Sequence, residues 1–161
     1  MTRIYLDTSV ISYLQQDDAP ERTAATRRFW EELRNHNEIE VFISDVTIAE
    51  VSDCPEPKRS FLHDELERMG FTVLKRNDES DEFTQRIIQR KILTRKSLDD
   101  CQHIAIAVLN SCDYIVSWNF KHLVNIKTIS GIRRITEIEG FSPVGIVTPE
   151  FFFGDTNGGN K

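Results

Sequence analysis

The stretch Arg3-Ile4-Tyr5-Leu6-Asp7-Thr8-Ser9 is a short apolar run stopped by a carboxylate and two hydroxyls. Residues 3–6 have the content of a strand without strict polar–apolar alternation, the pattern expected when both faces of a sheet are covered. Asp7, Thr8 and Ser9 are good caps for a helix over residues 10–14. Comparable runs recur at residues 41–44 and 114–117, with weaker ones at 71–74 and 144–147.

Helical patterns fill the intervals. Pro20 suits a first turn, and Ala24, Ala25, Arg28, Phe29 and Leu33 follow at helical spacing. Residues 58–69 read as a helix closed by Gly70. Residues 81–93 place Phe83, Ile87, Ile88 and Ile92 on one stripe. Residues 98–109 form the most apolar helix, and residues 129–139 another, weakened by Gly131. Strands alternating with helices predict an α/β fold, a three-layer α/β/α sandwich around a mainly parallel sheet. One domain over residues 1–150 is expected, with residues 151–161 as a C-terminal tail frayed at its Gly- and Asn-rich end.

Composition narrows the function. The 161 residues carry 26 acids and 20 Lys or Arg, a net charge of −6, which disfavours a nonspecific DNA-coating protein. No apolar run approaches the roughly 20 residues of a membrane helix, and Asp7 comes too early for a signal peptide. The three cysteines (Cys54, Cys101, Cys112) are odd in number and lack CxxC spacing. Structural thiols in a reducing, cytoplasmic setting are expected.

The chemistry lies in where the acids fall, because ligands of open parallel sheets gather outside the strands' carboxyl ends. Asp7 ends the first strand, and Glu50 follows the second on a short helix that Ser44 or Asp45 can cap. Asp99 and Asp100 open the apolar helix, where Ser97 and Asp100 have capping-type spacing. Asn119 follows the strand at 114–117. Each residue alone is explained as a cap, a solvated acid or a turn residue. Together the topology sends all four regions to one end of the sheet, and such a carboxylate cluster needs protons or a metal. All-oxygen ligands point to Mg²⁺ or Mn²⁺ rather than zinc.

These fragments resemble the PIN-domain family, most closely its VapC-like toxin ribonucleases. The resemblance rests on Asp7-Thr8-Ser9, Ala49-Glu50, Asp100 three residues before His103-Ile104-Ala105, Ser117-Trp118-Asn119 and Thr148-Pro149-Glu150. It implies a Mg²⁺- or Mn²⁺-dependent endoribonuclease with Asp7, Glu50, Asp100 and Asn119 as the catalytic set. Asp7, Glu50 and Asp100 would hold metal, and Asp99 could supplement them. Asn119 stands where a fourth Asp is common, and His122 where members with that Asn often carry an Asp. Thr8, Ser9, Ser117 and Lys121 are the expected substrate contacts. The resemblance also implies an RNA substrate, an antitoxin protein partner and a homodimer, and no membrane.

Other residues are open to two readings. Arg90, Lys91, Arg95, Lys96, Lys121 and Lys127 are candidates for the RNA backbone, although each alone suits a solvated helix surface. Trp118 and Phe120 could stack on a base, with packing as the default. Tyr13, Phe29 and Trp30 could form a dimer or antitoxin groove, and Phe151-Phe152-Phe153 could cover a sheet edge. His103 is expected to be packed or hydrogen-bonded rather than a ligand. The main alternative is a catalytically degenerate PIN domain that binds RNA or protein, motivated by Asn119 and His122 in place of acids. An Asp-nucleophile phosphatase ranks below it, because Ser9 stands where a second Asp is usual, and a receiver-like module lacks its acid pair.

Overall fold

The opening strand, β1 (Thr2–Leu6), is buried on both faces, with Ile4, Tyr5 and Leu6 wholly inaccessible. A computed structural model describes residues 1–153. Among these residues β1 is followed by α1 (Thr8–Ser12), α2 (Pro20–Asn35), β2 (Ile39–Ser44), α3 (Asp45–Ser52), α4 (Lys58–Met69) and β3 (Thr72–Leu74). Then come α5 (Asp78–Gln89), a 3₁₀ turn (Arg95–Ser97), α6 (Leu98–Leu109), β4 (Tyr114–Val116), α7 (Ile126–Glu139), β5 (Gly145–Val147) and α8 (Pro149–Phe153). The strands form one sheet in the order β3-β2-β1-β4-β5, and all four pairings are parallel.

Successive strand residues point to opposite faces, and this builds the three layers. Tyr5, Phe42, Ile115 and Ile146 pack with Phe83 of α5, Ile104 of α6 and Ile132 of α7. Ile4, Leu6, Ile43 and Val116 face the other way, against Val10 of α1, Phe29 of α2 and Leu62 of α4. The structure is an α/β/α sandwich, as the alternation of strands and helices predicts.

Several boundaries move for identifiable reasons. α5 starts at Asp78, where Asn77 and Ser80 form a reciprocal cap. It stops at Gln89 rather than at residue 93, because Lys91 turns the chain with φ +59°. α7 begins at Ile126, capped by the Asn125 side chain on the Thr128 N–H. Gly131 has a packing role there: a Cβ would lie 2.8 Å from Ile92 Cγ1, so its absence lets α7 close on Ile92. α6 has no polar side, since every residue from Cys101 to Val108 is buried. Gln102 and His103 both lie inside, and His103 is packed as expected.

The expected aromatic groove is also corrected. Phe29 and Trp30 are core residues, 2% and 3% exposed, while Tyr13 is half-buried. Phe152 and Phe153 of α8 pack against Phe29, and Phe152 meets Tyr114 edge-on. The residue 150–151 boundary falls inside α8, and the expected frayed end, residues 154–161, lies outside the described residues. Burial pushes the Cys101 and Cys112 thiols up to about 12, which suits inert packing groups. None of the described helices is long and apolar enough to cross a membrane.

Candidate active site

Because every strand runs the same way, Asp7 after β1, α3 after β2 and Ser117 after β4 all lie at the carboxyl edge of the sheet. Asp7 is 3% exposed and does two things at once. Its Oδ1 caps α1, accepting from the Ser9 N–H at 3.1 Å and from Ser9 Oγ at 2.5 Å. Its Oδ2 accepts from Ser117 Oγ at 2.9 Å. Both serines are held in turn: the Trp118 N–H donates to Ser9 Oγ and the Asn119 N–H to Ser117 Oγ, each at 2.9 Å. Burial raises the Asp7 carboxyl above its usual range against the lowering effects of His103 and the two serines, and the Asp100 charge adds to the rise.

His103 lies at the centre, 1% exposed. Its Nε2 is 2.6 Å from Glu50 Oε1, and its Nδ1 is 2.5 Å from Tyr5 Oη. Thr8 Oγ1 donates to the same Glu50 oxygen at 3.0 Å, and Tyr5 Oη is 2.7 Å from Ser44 Oγ. Burial works against a charged imidazole, but the Tyr5 oxygen, the Glu50 hydrogen bond and the Asp7 and Glu50 charges outweigh it. His103 is thus raised well above 6.5, and its Nε2 donates to the Glu50 carboxylate. Burial likewise acts to raise Glu50, but His103 and Thr8 prevail and hold it below its usual value.

Asp100 completes the group from the first turn of α6. Ser97 is the N-cap residue there but makes no side-chain cap bond, so the expected capping pair does not form. The Asp100 carboxylate turns instead to His122 Nδ1, 2.9 Å from Oδ2, and to Asn119 Nδ2, 3.4 Å from Oδ1. The His122 N–H donates to Asn119 Oδ1 at 2.9 Å, which orients that amide. Burial raises Asp100 despite the opposing charges of His122 and His103, and Glu50 adds repulsion.

The structure thus gathers Asp7, Glu50, Asp100 and Asn119, together with Thr8, Ser9 and Ser117. The three hydroxyls donate to the acids as they stand, so they orient carboxylates rather than wait free for substrate. Asp99 is exposed on the far side of the turn, where its charge acts on Arg76. Lys121 is exposed beyond Asn119. Neither joins the group. Tyr5, His103 and His122 belong to it; the sequence marked only position 122, as a place where an Asp is common, and did not mark Tyr5 or His103 as members. For His103 the available signal was its place one turn after Asp100 on a largely apolar helix.

Trp118 is not a surface platform: it is 4% exposed, with Nε1 donating to Thr26 Oγ1 at 2.8 Å. Phe120 is 46% exposed, with the Arg22 guanidinium 5.2 Å from its ring centre.

Residues 4–120 match the family model described as PIN domain. The chain belongs to the PIN-domain family. No curated protein matches it in sequence. Among solved structures it is similar to VapBC2 from Rickettsia felis bound to a DNA fragment from their promoter, with TM-score 0.54 and 12% identity over 91% of this chain and 98% of that one. VapBC-1 from nontypeable Haemophilus influenzae gives 0.52 and 17% over 75% and 90%. VapBC-5 from Mycobacterium tuberculosis gives 0.51 and 16% over 92% and 99%. At these identities the likeness is one of fold.

The donor set of this PIN domain fits a hard divalent cation. Two of the three carboxylates, Asp7 and Asp100, are raised mainly by burial, with the Asp100 charge adding to the rise at Asp7 and the Glu50 charge to that at Asp100, so a positive charge among them is favoured. Among the described residues no three Asp, Glu, His or Cys side chains form a ready-made cage. The acids are closed instead on the protons of His103 and His122 and the serine hydroxyls.

Proposed function

We propose that this PIN domain is a divalent-metal-dependent endoribonuclease that hydrolyses RNA phosphodiester bonds. The observation that carries this reading is the convergence of Asp7, Glu50 and Asp100, from three distant parts of the chain, around one buried histidine. Asp7, Asp100 and Glu50 would hold Mg²⁺ or Mn²⁺. When bound, such an ion supplies positive charge for phosphate oxygens and acidifies water.

The chain's own residues supply position. Ser9 and Ser117 clamp the two oxygens of Asp7, and each is fixed by a backbone N–H of the Trp118–Asn119 turn. His103 holds Glu50 through a proton at Nε2, and its own orientation is set by Tyr5. Asn119 and His122 aim Asp100. Fixed donors around the reacting centre reduce the reorganisation that the transition state requires.

The same reading makes the protein the toxin of a toxin–antitoxin pair, acting in the cytoplasm as a homodimer with an antitoxin protein. Its support is the fold shared with the VapBC structures. A second reading, a degenerate PIN domain that binds RNA or protein without cutting, draws on the donors that Asn119 and His122 present to Asp100, where an acid would serve a second ion.

Incubating the protein with single-stranded RNA in Mn²⁺, in Mg²⁺ and in chelator separates the two. Metal-dependent cleavage that Asp7→Asn abolishes is expected. RNA binding with no cleavage under any metal would leave the degenerate reading standing.

A further inference from the structure

Four cations meet where the end of α5 packs on α7. Arg90, Lys91, Lys127 and Arg134 line a cleft of about 470 Å³ whose wall contains no acid. In a chain with more acids than bases this is a pronounced segregation of charge. Some other arginines are paired: Arg86 lies 2.8 Å from Glu139, Arg76 2.7 Å from Asp81, and Arg3 2.7 Å from Glu40. Among the described residues, none of the four has a carboxylate within 4.0 Å.

The cleft has a fixed floor. Gly131 lets α7 close on Ile92, itself 7% exposed. The rim is set by the backbone, since Lys91 N donates to Ile88 O at 2.9 Å and Ile92 N to Ile87 O at 3.2 Å, closing α5 in a left-handed turn. Glycine is the usual residue at such a position, and a side chain there is strained. Here a lysine occupies it, on the wall of the cleft.

The cleft is linked to the acidic group through the start of α7. The pairs Arg86–Glu139 and Ile92–Gly131 set α5 and α7 antiparallel, which brings Arg90 and Lys91 toward the first half of α7. Thr128, next to Lys127, donates from Oγ1 to His122 O at 2.7 Å, and His122 holds Asp100.

We propose that this cleft is a second site, one that binds the phosphodiester backbone of a single RNA strand to one side of the bond to be cut. The proposal rests on the ribonuclease reading and extends it. Clustered Lys and Arg without acids suit successive phosphates. A protein segment would want an exposed apolar anchor, and Ile92 is buried.

The test measures binding of labelled single-stranded RNA to Asp7→Asn protein over a range of salt. Adding Lys91→Gly or Arg134→Gln weakens binding several-fold at low salt and lowers the salt slope by about 0.7 for each phosphate no longer neutralised. Lys91→Gly also raises Tm, by relieving the turn, and this opposition separates the removal of a phosphate-binding cation from damage to the fold. Unchanged affinity and slope in both variants, or no RNA binding at all, overturns the proposal. So does polyglutamate that outcompetes RNA through the same residues, which reassigns the cleft to an acidic protein segment. Cleavage by the otherwise native protein is assayed separately. Cleft-dependent binding without cleavage removes the nuclease reading and keeps the site, whereas cleavage with an indifferent cleft does the reverse.

Discussion

His103 Nε2 lies 2.6 Å from Glu50 Oε1, and the two differ sharply in setting: the histidine side chain alone is 2% exposed and the glutamate side chain 33%. The buried partner fixes the exposed one. Glu50 therefore faces the acidic group along a direction that its own short helix does not impose.

Removing that partner should be costly. His103→Ala takes one hydrogen-bonding neighbour from each of Tyr5 and Glu50, leaving Ser44 and Thr8 as their remaining partners, and we expect a loss of about 2 kcal/mol in unfolding free energy. Urea denaturation of the metal-free protein measures it. A loss below about 0.5 kcal/mol, the range of ordinary surface changes, would mean that solvent replaces His103 freely.

The pair also sets a pH dependence. His103 is raised above 6.5 in the folded protein, so its contribution is fully present below 6.5 and lost as pH rises through the folded value. Glu50 is lowered from 4.5, so its contribution is present above 4.5 and lost as pH falls through the folded value. The pair should therefore stabilise metal-free protein most between 4.5 and 6.5. Tm followed against pH should decline on the alkaline side, and His103→Gln should flatten that decline.

Asp7 has the opposite sign. Its folded pKa is raised above 3.8, so burying its charge costs stability once the pH exceeds the unfolded value. Asn caps a helix as well as Asp does. Metal-free Asp7→Asn should thus be at least as stable as the parent at neutral pH, although cleavage is lost. The parent should gain about 2.7 kcal/mol from Mn²⁺ at a hundredfold excess over Kd, and the variant much less. Calorimetry with and without Mn²⁺ checks both. Equal metal stabilisation of the two proteins would remove Asp7 from the ion site.

His122→Asp places a carboxylate where an imidazole nitrogen now lies 2.9 Å from Asp100 Oδ2. Two like charges across that gap should lower metal-free stability by about 1 kcal/mol. Divalent ions should restore it, giving this variant a larger metal-induced Tm rise than the parent. A variant as stable as the parent without metal would show that Asp100 has turned away from position 122.

The limits of α4 and α6, and the ends of the strands at Leu6, Ser44 and Leu74, were legible because apolar spacing and caps such as Gly70 and Ser44 act locally. The chain stop at Lys91 was not, because a lysine in a left-handed turn carries no glycine signal. Phe29 and Trp30 illustrate another limit. An amphipathic helix announces that it has an apolar face, but not whether that face meets its own sheet or another protein.

By itself, the order of residues determined a parallel α/β domain whose acids Asp7, Glu50 and Asp100 follow strands or open a helix at one edge. Only the tertiary structure decided how those acids are held. It placed His103 between Glu50 and Tyr5, set His122 on Asp100, turned Asp99 outward and drew the cations of α5 and α7 into one cleft. The reason is physical: strand and helix periodicity are properties of neighbours in the chain. The proton affinity of a buried carboxylate depends on which distant charges folding brings within a few ångströms.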